Sequence, residues 1–189
     1  MHVSLPTTMN PRLATLISAI RGAVRSAADP STVAGRVAAA LRPHLHESDL
    51  LAPAQRASNP AGYQQHILHI EDDGGFSIVS LVWLPGQATP IHDHVSWCVV
   101  GVYEGEEHES QYRLVQEGSA ACLIEAGQSV NPTGTVAAYT PPGDIHKVTN
   151  QGPAMAISLH VYGADIGRLG TSIRRRYDLP VKGESAHGH

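Results

Sequence analysis

The sequence predicts a mainly β fold, a small antiparallel barrel or sandwich preceded by helices. Three observations carry that expectation. Helical spacing of apolar residues is confined to the first sixty positions, and short β-branched runs recur at near-regular intervals over the next hundred. The turn-rich stretch Ala57-Ser58-Asn59-Pro60-Ala61-Gly62 separates the two patterns. At 189 residues the chain has the length of one domain with an appendage. We divide it into an N-terminal helical cap (residues 1–60), a barrel (61–166) and a C-terminal extension ending in a flexible tail (167–189).

The first helix is expected after Asn10-Pro11, an N-cap followed by a proline at the first helical position, where a missing N–H costs nothing. Leu13, Leu16, Ile17, Ile20 and Val24 then fall on one face. The second helix is expected near Asp29-Pro30-Ser31; it buries Val33, Val37 and Leu41 and stops at Pro43. Abundant alanine favours both helices. Neither carries a chemical motif, so both are assigned to packing against the later sheet.

From Tyr63 the period changes. One run, His66 to Ile70, stops at Asp72-Asp73-Gly74-Gly75, and another, Phe76 to Leu84, stops at Pro85-Gly86. Further strands are expected over 97–103, 109–115, 120–124, 135–139, 147–150 and 154–162. No helical pattern lies between them, which favours antiparallel pairing over parallel crossovers. The segment ending in Arg174-Arg175-Arg176-Tyr177-Asp178 reads as a solvated charge run, and Lys182 to His189 as a frayed tail.

Composition excludes several functions. With 13 Lys plus Arg against 17 Asp plus Glu and a formal charge of -4, there is no basic face for nucleic acid. No run of 18 apolar residues occurs, so no membrane partner is expected. The only cysteines, Cys98 and Cys122, cannot build a disulfide framework, and the start of the chain does not read as a signal peptide. A cytoplasmic protein is the expectation. Histidine is the anomaly, with 12 residues.

The strongest histidine motif is Pro90-Ile91-His92-Asp93-His94. Alternate side chains of an extended chain share a face, so His92 and His94 point one way and Asp93 the other, and two imidazoles can share one metal. His146, where the turn Pro141-Pro142-Gly143 feeds a new strand, is the third candidate. Any one of these histidines, taken alone, also reads as a hydrogen-bonded structural residue.

The frame around them resembles the two cupin motifs. Gly86, five residues, His92-Asp93-His94, three residues, Cys98, six residues and Gly105 follow the first, except that Cys98 stands where a typical cupin has its glutamate ligand. Pro141-x-Gly143, two residues, His146, three residues and Asn150 follow the second, with Gly134 one residue further ahead than usual. The resemblance implies a cupin, a small β-barrel of jelly-roll type. Without the glutamate, three neutral imidazoles leave the charge of a divalent ion uncompensated, so an anionic substrate ligand binds more strongly than beside a carboxylate. A thiolate suits that position. Ferrous iron is a coherent occupant, although zinc, nickel and copper accept the same ligands.

The chain further resembles the thiol dioxygenases, the family of cysteine dioxygenase and 3-mercaptopropionate dioxygenase. The likeness runs through Tyr63-Gln64-Gln65, Phe76 to Ser80, Thr89 to Trp97, Gly143 to Asn150 and Ser158-Leu159-His160-Val161-Tyr162-Gly163. It implies Fe(2+) on His92, His94 and His146, and conversion of a small thiol and O2 to a sulfinic acid. It also implies that Tyr162 lies beside the iron, oriented by His160 and Ser158. Those three alternate along an expected strand and so share a face. No Gly-x-Ser-x-Gly elbow surrounds Ser158, which argues against a hydrolase.

Two departures bear on the substrate. Gln65 stands where animal cysteine dioxygenases carry a carboxylate-clamping arginine, as in the mercaptopropionate-type enzymes. It offers two N–H donors and no charge, and with Tyr162 it is expected to bind the substrate carboxylate. Cys98 matches the position that animal enzymes cross-link to the active-site tyrosine, so a Cys98–Tyr162 thioether stands beside a free, buried cysteine as an expectation. His66 is read as structural. Trp97 is expected beside the metal-bearing strand or in the pocket wall, Cys122 in a strand core, and His108, His187 and His189 without a partner at ligand spacing. The expected substrate is a 3-mercaptopropionate-type thiol or cysteine, with another thiol such as ergothioneine left open. The alternatives are a non-catalytic, metal-dependent small-molecule binding or sensing cupin, and an isomerase using zinc or nickel.

Overall fold

A computed structural model describes residues 10–26, 28–118 and 120–183. His187 and His189 lie outside them, as does most of the expected tail. Helix α1 (Pro11–Arg25) starts where Asn10 accepts a hydrogen bond from the Arg12 N–H, and it buries Leu13, Leu16, Ile17 and Ile20. Helix α2 (Pro30–Leu41) is capped by Asp29 on the Thr32 N–H and buries Val33, Ala34, Val37 and Leu41. Pro43 does not mark the stop. The α-helix ends at Leu41 and the chain tightens into a 3-10 turn, Arg42–His46, whose first turn holds the proline.

Eleven strands are found among the described residues: β1 (Gln64–Ile70), β2 (Ser77–Trp83), β3 (His92–His94), β4 (Cys98–Glu104), β5 (Glu106–Glu117), β6 (Ala120–Pro132), β7 (Val136–Tyr139), β8 (His146–Thr149), β9 (Ala156–Tyr162), β10 (Ile173–Arg176) and β11 (Val181–Lys182). A short helix, α3 (Ile166–Leu169), precedes β10. One sheet runs β1-β2-β9-β4-β7, the other β10-β3-β8-β5-β6-β11. Every named pairing is antiparallel except β11 on β6. The expected mainly β architecture with N-terminal helices is therefore observed.

Strands β2 and β9 are buried along their whole length. One face of the first sheet, through Ile78, Val82, Val99, Leu159 and Val161, packs on Leu16, Ile20, Val37 and Leu41 of the helices. The other, through Val79, Leu81, Trp83, Cys98, Val100 and Tyr162, fills the barrel. A sheet covered on both faces needs continuous apolar runs, which is why Ser77–Trp83 and Ala156–Tyr162 read as runs and not as alternation. Gly105 turns β4 into β5 at φ 75°, and a Cβ there would lie 2.9 Å from the Met155 carbonyl oxygen. Only glycine satisfies both conditions.

The C-terminal segment differs most from expectation. Arg174-Arg175-Arg176 is not a free charge run but most of β10, paired with the His92–His94 strand. Lys182, expected in the tail, lies in β11. No described helix is long and apolar enough to cross a membrane.

Candidate metal centre

Strand β3 presents His92 and His94 on one face, and the register His92↔His146 brings β8 alongside. One ligand atom from each of His92, His94 and His146 lies within 4.8 Å of the others, and all three residues are buried. The second nitrogen of each ring is fixed from behind. His92 Nδ1 meets the Pro90 carbonyl oxygen at 2.9 Å, His94 Nδ1 the Asp144 carboxylate at 2.9 Å, and His146 Nδ1 the Glu109 carboxylate at 2.8 Å. These partners accept hydrogen bonds, so each Nδ1 carries the proton and each Nε2 keeps a lone pair for a metal. Burial, reinforced by the neighbouring histidines, pushes His92 down to about 3. Burial also lowers His94 despite its Asp144 hydrogen bond. Neutral rings with converging lone pairs fit a divalent metal.

Asp93 points the other way, as alternation requires. Its Oδ2 accepts from Arg175 Nε at 3.0 Å and Nη2 at 2.7 Å, and from the Tyr177 hydroxyl at 2.9 Å. Sequence reasoning missed these partners, and missed Glu109 as the support for His146. Asp144 lies inside the second motif, but sequence reasoning assigned it no role. Glu109 also accepts from the Tyr139 hydroxyl at 2.7 Å. Burial opposes its ionisation, but the His146 and Tyr139 hydrogen bonds hold its pKa below the ordinary carboxylate value.

On β9 the alternating residues form a row. His160 Nε2 lies 2.9 Å from Ser158 Oγ, and His160 Nδ1 lies 3.0 Å from the Tyr162 hydroxyl. The Trp83 indole N–H donates to Ser158 Oγ at 3.2 Å. Burial raises the Tyr162 hydroxyl well above its ordinary value. Burial likewise holds His160 well below the ordinary imidazole range. Cys98 is a free, buried thiol directly opposite Tyr162 in the β4–β9 register.

Gln65, Tyr63 and Tyr162 line a cavity of about 30 Å³ whose wall includes all three histidines. Leu81, Val148 and Ile173 supply its apolar side, and Ser172 its unforeseen polar one. A larger cleft of about 280 Å³, lined by Arg113, Tyr112 and Asp144, touches only His146 of the three. The three histidines therefore converge on the smaller cavity. His66 is outside it, with Nε2 2.8 Å from the Ala57 carbonyl oxygen. Trp97 packs in the core facing the helices and does not wall the cavity.

A family model described as cysteine dioxygenase type I matches residues 14–169. The chain belongs to that family. Membership of the cysteine dioxygenase type I family supports a thiol dioxygenase acting on a small molecule with O2, and the converging histidines are compatible with its metal. Among solved structures, the TT1209 protein from Thermus thermophilus is 23% identical over 60% of this chain and 95% of that one, with a TM-score of 0.44. A conserved protein with a double-stranded β-helix domain from Klebsiella pneumoniae subsp. pneumoniae is 18% identical over 63% of this chain and 87% of that one, with a TM-score of 0.47. A cupin 2 conserved barrel domain protein from Salinispora arenicola is 18% identical over 64% and 92%, with a TM-score of 0.42.

Proposed function

We propose that this protein is an iron(II)-dependent dioxygenase that adds both atoms of O2 to the sulfur of a small thiol, giving the sulfinic acid, with a 3-mercaptopropionate-type thiol or cysteine as substrate. The observation that carries the reading is the set of three buried imidazoles converging beside a small cavity with no carboxylate among them. Ferrous iron held by His92, His94 and His146 would supply open positions that favour an anionic sulfur ligand. The thiol provides all four electrons, so no other reductant enters.

The chain's own residues then divide the remaining work. Gln65 donates its amide N–H groups to the substrate carboxylate, and the Tyr162 hydroxyl adds a second donor. His160 and Ser158 hold Tyr162 in place from behind. Leu81, Val148 and Ile173 exclude water from the reacting sulfur. The Cys98–Tyr162 register across β4 and β9 supports a thioether between the two side chains. Peptide mapping of active protein should show these two peptides joined with loss of two hydrogens, and unmodified Cys98 and Tyr162 would remove the cross-link.

The test is metal analysis of protein purified without added metal, followed by oxygen uptake with 3-mercaptopropionate, cysteine, cysteamine, mercaptosuccinate and ergothioneine. Iron and uptake with at least one thiol are expected, and His94→Ala should abolish both. Iron-loaded protein that consumes no oxygen with any thiol would overturn the reading in favour of binding or sensing.

A further inference from the structure

Strand β10 meets β3 in an irregular register. Ile173 lies opposite His94, Arg175 opposite Asp93 and Arg176 opposite His92, with a bulge between Ile173 and Arg175. Residues directly opposite each other on paired strands turn their side chains to the same face. Two of the three pairs follow that rule visibly. Ile173 lines the thiol cavity together with His94, and Arg175 reaches Asp93 on the outer face, with Nη2 2.7 Å from Oδ2. The third pair therefore turns Arg176 to the inner face of β3, the face of His92.

The bulge produces this arrangement. Along an unbroken strand alternate residues share a face, so Ile173 and Arg175 would point together and Arg176 would turn away from the cavity. One extra residue in β10 shifts the phase, which sends Arg175 out to Asp93 and Arg176 in beside His92. Because β10 is the edge strand of its sheet, Arg176 remains exposed. Among the described residues no carboxylate forms an ion pair with it, whereas Arg175 is engaged by Asp93.

The cavity lacks what Arg176 carries. No lysine, arginine, aspartate or glutamate lines it, so nothing inside supplies a full charge to meet the far end of an anionic thiol. The wall residue Tyr63 is held against Trp83 with ring centroids 4.6 Å apart. Burial raises the Tyr63 hydroxyl and the Arg176 charge lowers it, in keeping with a guanidinium on this side of the cavity. We propose that Arg176 is a substrate-binding residue, the cation that pairs with the carboxylate of the thiol while its sulfur lies at the three histidines. Gln65 and Tyr162 orient that carboxylate by hydrogen bonding, and Arg176 supplies the charge that neither has. Its planar fork can give a carboxylate two parallel N–H···O bonds. The class of substrate this selects is a thiol whose other end is a carboxylate. What becomes of the bound thiol rests on the dioxygenase reading above, whereas the pairing does not.

The test measures binding without turnover. Full-length protein with zinc in the histidine site is titrated calorimetrically with 3-mercaptopropionate and with cysteamine, which has an ammonium group and no carboxylate. Binding of 3-mercaptopropionate to the wild type should weaken as salt is raised. Arg176→Gln should weaken it about tenfold and flatten that salt dependence, and Arg176→Lys should restore part of the affinity. Cysteamine should bind Arg176→Gln no more weakly than the wild type. Arg174→Gln removes the same charge from the same strand and should bind both thiols as the wild type does. In iron-loaded protein the loss should reappear as a raised KM for 3-mercaptopropionate with kcat little changed. Unchanged 3-mercaptopropionate affinity in Arg176→Gln, an equal loss in Arg174→Gln, an equal loss for both thiols, or a wild type that does not bind 3-mercaptopropionate would overturn the proposal. A carboxylate-dependent loss of binding in Arg176→Gln, with no thiol supporting oxygen uptake by the wild type, upholds the pairing and sinks only the dioxygenase reading.

Discussion

Each candidate ligand is held by a different acceptor: a main-chain carbonyl for His92, Asp144 for His94 and Glu109 for His146. A carboxylate behind an imidazole raises its basicity and fixes its tautomer. Asp144→Asn should therefore lower metal affinity about 10–100-fold, measured by competition with a chromophoric chelator, with the fold intact. Gln65→Ala should raise KM for 3-mercaptopropionate about tenfold or more, the cost of one hydrogen bond to a charged group. Its KM for cysteamine, which has no carboxylate, should stay unchanged; an equal rise for both thiols would remove Gln65 from carboxylate recognition. At this scale the His-x-His spacing and the alternation of Ser158, His160 and Tyr162 were legible, because both are local along one strand. Glu109 was not, because its pairing with His146 depends on the β5–β8 register between segments far apart in sequence.

Elements were legible where burial is two-sided. β2 and β9 stood out as apolar runs, whereas β10 is mostly arginine and exposed, and its reason for being a strand is the buried Asp93 on its neighbour. Arg175→Ala leaves that carboxylate with the Tyr177 hydroxyl alone. It should destabilise the fold by about 1–3 kcal/mol in urea unfolding, and hydrogen exchange should quicken first in β10. A second tie joins α1 to the end of β1: Arg21 donates to Glu71 at 2.6 and 2.9 Å, and His69 Nε2 lies 2.9 Å from the same carboxylate. The Arg21 hydrogen bond, then that of His69, brings Glu71 from 4.5 down to about 2. A depressed folded-state value means this contribution is complete above about 4.5 and is lost as pH falls toward about 2. Melting temperatures followed over that range should fall less steeply in Arg21→Ala, and an unchanged slope would discount the pair.

At the scale of the molecule, helices and sheet share one core, with Leu16, Ile20, Val37 and Leu41 packed on Val82, Trp97, Leu159 and Val161. The amphipathic stripe announced that the helices pack, though not which sheet face receives them. Leu16→Ala should cost about 2–5 kcal/mol and lower one common transition, seen alike by far-UV circular dichroism and tryptophan fluorescence. Trp97 and Trp83 lie in separate core clusters, so a helical cap that melts independently would split the two probes. The three-residue strand β3 connects this architecture to the site, since its outer face binds β10 through Asp93 while its inner face offers His92 and His94. Thermodynamic reciprocity follows from that shared strand. If docking of the C-terminus pre-arranges the histidines, occupancy by the ion must favour docking by an equal coupling free energy. Chelation would then show itself at the far end of the chain as faster amide exchange, and a ligand that clips the C-terminus in place would slow loss of the metal.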